Sequence, residues 1–386
     1  MRSLRDKLGA VVSAKPKPQL PGSSTDALFF CREHRTAISA LRGVELTTLQ
    51  EVRSCDPGFT GASWNPYKLL FLDTETTGLS GGAGTVAFEI GLGWLEPDSM
   101  VIRQYVMRDY HEEAPMLAEI ASIFTRFDTV VSFNGKSFDL PLLESRMTMN
   151  RIRLAVTQWP HFDLLHAARR VYKLRLGRCN LAALEEVVFG MAREGDLPGA
   201  MVPQRYFDYL KTQEFAMLED VLRHNRQDVQ SLAELTGHLC AVFRAPELLV
   251  HPQDLFGVGK TLLRTGYREK GRRCLRLAAR GAVAAQAHMH LAQSFKKDKD
   301  WRHAVEFWHE MIVRGEGGVW PYIELAKYYE HACADYRRAL ACAQKALTLS
   351  LNSALLHGEN APQEDMIRKR IARLSQRLAR KEKQGG

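Results

Sequence analysis

The sequence predicts a mixed α/β sheet flanked by helices, followed by an all-α domain of helical repeats. Between residues 67 and 245, short apolar runs first follow one another across turn-rich pieces and then alternate with helical patterns. From residue 246 the strand patterns stop, and two helical segments resemble each other. We therefore expect residues 1–66 to form an N-terminal helix, linker and lead-in segment, residues 67–245 the α/β domain, and residues 246–386 the repeats.

Composition and charge exclude several classes of protein. The 386 residues are 45% hydrophobic and 25% charged, which is typical of a globular chain. No run approaches 18 consecutive apolar residues, and the N-terminal apolar stretch is too short for a signal-peptide core, so we expect a cytoplasmic protein without a membrane span. The seven cysteines form no Cys-x-x-Cys pair, which argues against a zinc ribbon or a disulfide framework. A formal net charge of +9 suggests a polyanionic partner such as a nucleic acid.

Apolar and turn patterns predict the elements of the α/β domain in order. A linker rich in proline, glycine and serine, residues 15–25, comes before them. The short connections between the first three strands imply an antiparallel meander. The predicted elements are strands at 68–73, 86–96 and 100–110, a helix at 113–127, a strand at 129–134, a helix that begins near Asp139 and a short strand at 157–162.

The stretch FLDTETTGL, residues 71–79, ends an apolar strand in two carboxylates. Side chains alternate along a strand, so Asp73 and Glu75 point to the same side and Thr74 points away. Like charges this close raise each other's pKa unless a cation lies between them, and Mg²⁺ and Mn²⁺ prefer oxygen ligands. The stretch therefore predicts a divalent-metal site, and the alternative is an exposed turn with two solvated acids.

Two further segments contribute candidate acids. In SFNGKSFDLP, Asp139 follows a turn and either joins the carboxylate site or caps the helix that begins there. In RHNRQDVQSLAEL, Asn225 and Asp228 interrupt the apolar stripe of a helix, and the four-residue spacing places His224 on the same face as Asp228. A solvated helix face does not explain polar residues on the apolar side.

DTETTGL, NGKSFD and HNRQD, in this order, resemble the three exonuclease motifs of the DEDD (DnaQ-like) superfamily of 3′-to-5′ exonucleases, which have a ribonuclease H-like fold. The resemblance covers roughly residues 67–242, and with GDLPG (195–199), YFDYL (206–210) and its helical-repeat tail the chain is similar to the bacterial YprB-like branch. It implies two bound divalent cations, Mg²⁺ or Mn²⁺, with His224 in the general-base position. The implied metal ligands are Asp73, Glu75, Asp139 and Asp228.

His224 departs from the pattern of the superfamily. Its histidine subclass usually reads H-x-x-x-x-D and its tyrosine subclass Y-x-x-x-D, and His224 has the tyrosine-type spacing to Asp228. The resemblance therefore implies the metal ligands more directly than the base.

The expected reaction is hydrolysis of the 3′-terminal phosphodiester bond of DNA or RNA, with His224 accepting a proton from the attacking water. Two alternatives remain open: an inactive nucleic-acid-binding or scaffold protein that works through its repeats, and a structure-specific endonuclease on the same fold. The motifs do not separate DNA from RNA, because that choice depends on contacts to the 2′-hydroxyl.

The C-terminal third contains two similar helical segments, which begin LAQSF and LAKYY at an offset of 34 residues. An aromatic-x-x-Ala pattern recurs at an offset of 35, as Trp301/Ala304 and Tyr336/Ala339. This is the period of tetratricopeptide helix pairs, which stack because one pair alone does not bury its apolar face. We expect a basic C-terminal helix to cap them and the repeats to bind a protein partner or to extend the substrate track.

Several other features have simpler explanations. GVGKT, residues 257–261, lacks the first glycine and the preceding strand of a phosphate-binding loop. Asp163 is expected to cap a helix rather than to join the site. Five basic residues either grip phosphates or form a solvated helix face: Arg169, Arg170, Lys173, Arg175 and Arg178. The glycine-rich stretch at residues 81–84 either lets backbone approach the substrate or forms a turn.

Overall fold

The computed structural model of the chain describes residues 28–44, 47–78, 84–191, 193, 195, 197–357 and 361–384. The predicted N-terminal helix, the linker and residues 81–83 of the glycine-rich stretch lie outside the described residues. The chain divides into two compact units between Arg244 and Ala245.

A six-stranded mixed sheet lies at the centre of the N-terminal unit. Its strands in chain order are β1 (Phe30–Ala37), β2 (Leu69–Thr76), β3 (Ala87–Leu95), β4 (Ser99–Val106), β5 (Thr129–Ser132) and β6 (His161–Asp163). In space their order is β1-β4-β3-β2-β5-β6. Strands β1 to β4 pair antiparallel, whereas β5 pairs parallel with β2 and β6 parallel with β5. The predicted meander and the mixed sheet are confirmed.

Helices flank this sheet, as the sequence predicts. Those of the N-terminal unit are α1 (Leu49–Cys55), α2 (Glu113–Phe124), α3 (Asp139–Met149), α4 (Leu164–Leu176), α5 (Leu181–Leu184), α6 (Val202–Thr212) and α7 (Glu219–Arg244). A π-helical turn, Glu185–Phe189, continues α5. Helix α7 is the longest of these and packs against β2, β3 and β4.

Strand β1 is an element that the sequence patterns do not reveal. It pairs with β4 at the edge of the sheet, and three of its eight residues, Arg32, Glu33 and Arg35, are charged. Arg32 binds Glu219 at 2.7 Å, and Glu33 accepts from Arg103 at 2.7 Å. These charges hide the apolar alternation that identifies a strand, and they also protect an edge from pairing with other chains.

Four predicted strands, β3 to β6, are shorter in the structure. Strand β3 loses one residue at each end, and β4 ends at Val106 rather than at residue 110, where the chain enters a 3₁₀ turn at Tyr110–Glu112. Strand β5 ends at Ser132 rather than at residue 134, because Asn134 adopts a left-handed φ of 70° and turns the chain. Strand β6 begins at His161, since Val156–Gln158 form a 3₁₀ turn instead of extended backbone. These differences shift the ends of the strands and leave the order of elements unchanged.

The apolar run that opens β2 is the best-buried part of the sheet. Leu69, Leu70, Phe71 and Leu72 are each at most 1% exposed. A fully buried side chain of this size stabilises the fold by about 1.5–3 kcal/mol. The strand is therefore held firmly at one end, and this fixes the positions of the polar residues that follow it.

The C-terminal unit is helical throughout its described residues. Its helices are α8 (Pro252–Arg264), α9 (Arg268–Ala278), α10 (Ala284–Lys297), α11 (Trp301–Val313), α12 (Trp320–His331), α13 (Tyr336–His357) and α14 (Ala361–Gln384). Each helix packs against the next along the chain. GVGKT lies inside α8, so the rejection of a phosphate-binding loop is confirmed. The helical spacing along α14 predicts that Met366 shares an apolar face with Ile367 and Leu374, but only the latter two are buried and Met366 is 65% exposed.

Two observations bear on the environment of the chain. All seven cysteines are free thiols. Within the described ranges, no helix is long and apolar enough to cross a bilayer.

Candidate active site

Asp73 and Glu75 extend from β2 on the same face of the sheet. Both are partly exposed, whereas Thr74 between them is buried, as strand alternation requires. Asp73 lies opposite Gly91 of β3, and Glu75 lies opposite Glu89. The register between β2 and β3 shifts directly after Glu75, a bulge of the kind that re-aims side chains beside functional sites.

Helix α7 approaches this face because β3 has no side chain at Gly91. A Cβ atom there would lie 2.2 Å from Asn225 Oδ1, so only glycine lets Asn225 reach the sheet. Asn225 is fully buried, and its Nδ2 donates to Asp73 Oδ2 at 3.0 Å. Asn225, which interrupts the apolar stripe of α7, thus holds the carboxylate of Asp73 in place.

His224 and Asp228 occupy one face of α7, beside Glu75. His224 Nε2 is 3.6 Å from Asp228 Oδ2 and 3.6 Å from Glu75 Oε1. These distances exceed those of a hydrogen bond but allow ionic attraction whenever the imidazole is protonated. The structure therefore brings together the residues that two separate motifs supply.

Asp139 begins α3 and turns its carboxylate toward β2. Thr74 Oγ1 donates to Asp139 Oδ1 at 2.5 Å. The N-cap position of α3 is Phe138, and no side chain caps this helix end, so the capping alternative for Asp139 is not observed. Asp139 instead lies 7% exposed, next to the strand that carries the first motif.

The carboxylates disfavour one another's ionisation. The pKa of Asp73 lies well above its usual range, first because its carboxyl group loses most of its hydration in the fold and then because Asp228, Glu75 and Asp139 repel its charge. Burial also raises the pKa of Asp139 to about 6, against the opposing effect of its hydrogen bond from Thr74. A cation placed among these oxygens would relieve both costs.

Glu89 is a buried acid that the motifs do not include. It is 1% exposed, and burial together with repulsion from Asp73 raises its pKa well above the ordinary value. Gln104 Nε2 donates to Glu89 Oε1 at 2.8 Å and to Asn225 Oδ1 at 3.2 Å. A glutamate inside the apolar stretch VAFEIGLGW is the sequence signal that could have found it.

Arg193 is the second residue that sequence reasoning missed. Its guanidinium donates to Asp228 Oδ1, and its Nε and second terminal nitrogen bind the two oxygens of Glu185 at 2.5 and 2.7 Å. Its first terminal nitrogen is 3.4 Å from His224 Nδ1. Glu185 is fully buried and also accepts from Ser231 Oγ. No periodicity or motif points to Arg193, because it belongs to none of the predicted helices or strands and its partners lie 8 and 35 positions away.

Arg193 and His224 partly neutralise Asp228. Burial raises the pKa of Asp228, while the charges of His224 and Arg193 act in the opposite direction. One oxygen of Asp228 is occupied by the guanidinium, and the other faces His224.

The donor set fits a hard divalent cation in its chemistry. Four carboxylates converge, and their mutual repulsion is the charge pattern that Mg²⁺ or Mn²⁺ resolves. In the part of the chain that the structure describes, however, no group of three or more His, Cys, Asp and Glu side chains is positioned to hold one ion. Arg193 and Thr74 each hold one of the acids instead.

Two of the remaining candidates, Asp163 and Arg170, have structural roles. Asp163 caps α4 by accepting from the backbone nitrogen of Leu165, so the capping prediction is confirmed. Arg170 donates to the carbonyl oxygen of Cys55 and pairs with Asp56 at 3.1 Å. Its guanidinium is therefore committed to the fold rather than free for a phosphate.

Comparison with known proteins places the chain in a family. A family model described as "RNase_H superfamily" matches residues 70–240. The uncharacterized protein YprB of Bacillus subtilis (strain 168) is 30% identical over 342 residues, which cover 87% of this chain and 81% of YprB. The chain belongs to the YprB family. The region that the RNase_H superfamily model matches, residues 70–240, contains all of the sheet except β1 and Leu69. It also contains all five predicted site residues.

A solved structure is also similar to this chain. The family B DNA polymerase from the hyperthermophilic archaeon Pyrobaculum calidifontis aligns with a TM-score of 0.35 and 16% identity. The alignment covers 56% of this chain and 29% of the polymerase, so the chain spans less than a third of that protein.

The match of residues 70–240 to the RNase_H superfamily model indicates a ribonuclease H-like domain. Such a fold suggests a nuclease, and ribonuclease H-like nucleases generally use divalent metal ions. It also implies a nucleic-acid substrate.

Proposed function

We propose that this chain is a metal-dependent 3′-to-5′ exonuclease of the DEDD type, acting on DNA or RNA. The observation that carries the proposal is the face-to-face placement of two motifs: β2 presents Asp73 and Glu75, and α7 presents His224 and Asp228. Asp139 completes the set from the start of α3. Burial and mutual repulsion make this group of acids costly to the fold, which favours a functional explanation.

The four acids Asp73, Glu75, Asp139 and Asp228 would hold two divalent cations, Mg²⁺ or Mn²⁺. Such ions, when bound, lower the pKa of a coordinated water and offset the negative charge of the scissile phosphate. Asn225 keeps Asp73 oriented by donating to one of its oxygens at 3.0 Å. That hydrogen bond leaves the second oxygen of Asp73 available as a ligand.

His224 serves as the general base in this proposal. Its Nε2 lies between Glu75 and Asp228, where it accepts a proton from the attacking water. The adjacent carboxylates stabilise the imidazolium that results, since opposite charges at this distance attract. The guanidinium of Arg193 lies 3.4 Å from the other ring nitrogen, Nδ1, and can only donate, so it has to move away from Nδ1 before Nε2 can act as the acceptor.

We also propose that the C-terminal helices are tetratricopeptide-type repeats that bind a protein partner or extend the substrate track. The buried alanines Ala304 and Ala339, 0% exposed, recur at the expected spacing and support this assignment. The free thiols support a reducing, cytoplasmic location.

The test uses the purified full chain with Mg²⁺ or Mn²⁺ on end-labelled single- and double-stranded DNA and RNA. A 5′-labelled strand should shorten stepwise, and Asp73→Asn and Asp228→Asn should abolish the products. Internal cleavage without a ladder would indicate an endonuclease. Tight nucleic-acid binding without any cleavage would indicate a scaffold protein.

A further inference from the structure

A groove lies between helices of the C-terminal unit and has no role in the reaction proposed above. It encloses about 590 Å³, a volume within the range of small-ligand sites. Residues of α10, α11 and α12, the loop between α10 and α11, and Arg370 of α14 line it. Aromatic side chains and cations dominate this lining.

The aromatic side of the groove contains a buried donor without a partner. Trp308 lines the groove at 0% exposure, and among the described residues none accepts a hydrogen bond from its Nε1. Buried indole nitrogens normally find an acceptor. Trp301 and Tyr328 stand beside it, with ring centroids 5.5 Å apart, and both are partly exposed. The Nε1 atom of Trp308 is itself closed off from solvent, so the groove offers a ligand the partly exposed rings of Trp301 and Tyr328.

The cations of the groove outnumber its acids. Glu324 accepts from both Lys296 and Lys327, so one carboxylate serves two ammonium groups. Lys299 adds a third ammonium in the adjoining loop, and Arg370 lies at the rim, paired with Glu330. The lining thus keeps a net positive charge.

The whole C-terminal unit shares this imbalance. Residues 245–386 contain 25 lysines and arginines against 15 aspartates and glutamates, whereas residues 1–244 contain 28 against 29. The net positive charge of the chain is therefore carried by the unit that contains the groove. Concentrated positive charge of this kind attracts polyanions over distances near the Debye length.

We propose that this groove binds single-stranded nucleic acid, with a phosphate against the lysines and a base against Trp301. A nucleotide supplies an anion for the ammonium groups and a flat ring for the aromatic side chains. An acidic peptide supplies only the anion and leaves the rings without a stacking partner. The assignment rests on the proposed nuclease function, for which the groove is a second contact to the same strand.

The test is the affinity of the full chain for a fluorescent oligothymidylate of about 20 nucleotides, measured by anisotropy in EDTA so that no cleavage occurs. Trp301→Leu should weaken binding by about 5- to 150-fold, the contribution of one stacked base. Lys299→Gln should weaken it less and reduce the slope of log affinity against log salt by about 0.7. The ring-retaining variant Trp301→Phe should bind nearly as well as the wild type.

Matched controls separate the groove from general charge and folding. Lys297→Gln removes the same charge from an exposed position outside the groove, and Trp320→Leu removes a partly buried tryptophan that does not line it. Both should bind like the wild type. If Lys299→Gln and Trp301→Leu also bind like the wild type, the proposal is wrong. It is equally wrong if these variants lose binding of an acidic peptide while oligothymidylate binding is unchanged.

Failure of the groove and failure of the nuclease proposal give different results. Groove-dependent binding by a wild-type chain that cleaves nothing with Mg²⁺ or Mn²⁺ would reject the nuclease and keep the groove. Cleavage by the wild-type chain, together with an affinity that the groove substitutions do not change, would reject the groove and keep the nuclease.

Discussion

His224 is the residue on which the proposed proton transfer depends. Its Nε2 is 3.6 Å from carboxylates on both β2 and α7, so removal of the ring should remove the base but leave the acids in place. We expect His224→Ala to lower the maximal cleavage rate by about 10²- to 10⁴-fold, with little change in the metal concentration that gives half activity. Steady-state kinetics against Mg²⁺ concentration measures both quantities.

His224→Tyr is the matched variant for this residue. The four-residue spacing from His224 to Asp228 is that of the tyrosine subclass, so a tyrosine hydroxyl should reach the water and retain more activity than alanine. A wild-type rate in His224→Ala would show that the histidine is a bystander.

Arg193 is the cation that pairs with two acids at the site, Asp228 and Glu185. Its side chain is 7% exposed and joins Asp228 to Glu185, which is fully buried. Arg193→Met should lower the free energy of unfolding by about 3–5 kcal/mol, because a buried carboxylate then lacks its partner. Urea denaturation without metal measures this loss.

Adding Glu185→Gln to Arg193→Met gives the control. The double variant should be more stable than Arg193→Met alone, since the unpaired charge is gone. Equal stability of Arg193→Met and the wild type would show that this ion pair contributes little.

At the scale of elements, the approach of α7 to β3 depends on Gly91. An added Cβ atom would meet Asn225 Oδ1 at 2.2 Å and Val229 Cγ2 at 2.8 Å. Gly91→Ala should therefore displace α7, lower the free energy of unfolding by about 1–3 kcal/mol and reduce cleavage, because Asp228 and His224 move with the helix. Thermal denaturation and the cleavage assay test the two effects together.

Gly199→Ala is the matched control for Gly91→Ala. No atom lies within 4 Å of the added Cβ atom, and φ at Gly199 is outside the left-handed region. Stability should therefore stay near the wild-type value or rise slightly, as the unfolded chain loses freedom. A similar loss in both glycine variants would remove the packing argument.

Helices α4 and α7 are joined by a contact that should make stability depend on pH. Tyr172 Oη and His238 Nε2 are 2.6 Å apart, and burial lowers the pKa of His238 to about 4. The unfolded chain takes up this proton near pH 6.5, whereas the folded chain does not until about pH 4. The unfolded state therefore binds more protons between these values, and stability falls as pH drops through this window.

In the wild type, the free energy of unfolding should be lower at pH 4 than at pH 7. His238→Gln should reduce this difference by up to about 3 kcal/mol. His166→Gln, at an exposed position of α4, should leave the fall unchanged. An identical pH dependence in the wild type and His238→Gln would contradict the prediction.

At the scale of the whole molecule, chemistry and strand binding are assigned to different units. The first unit holds the complete sheet, its own core and all the proposed catalytic residues, and it ends at Arg244. A chain shortened to residues 1–244 should fold, as judged by circular dichroism. It should also cleave a short oligonucleotide at a rate similar to the full chain, because the chemistry needs no residue beyond Arg244.

Longer oligonucleotides should distinguish the shortened chain from the full chain. The shortened chain lacks the basic groove, so its affinity for an oligonucleotide of about 20 nucleotides should fall and its salt dependence should weaken. A folded but inert shortened chain would mean that the second unit takes part in the chemistry.

The sequence by itself determined the features that short periodicities encode. Alternation along β2 places Asp73 and Glu75 on one face, and the helical repeat of α7 places His224 beside Asp228, as the structure shows. The mixed sheet and the helical C-terminal unit also follow from local patterns of apolar residues. These features depend on neighbours within one or two turns or on alternate residues of a strand.

Only the tertiary structure decided which distant groups meet. Thr74 and Asp139 are 65 positions apart, and Arg193 and Asp228 are 35 apart, so no local pattern predicts that they bind each other. Strand β1 was hidden for a similar reason, because its charges have partners on other elements. Long-range contacts depend on how whole elements pack, and this packing is set by the complete core rather than by any one segment.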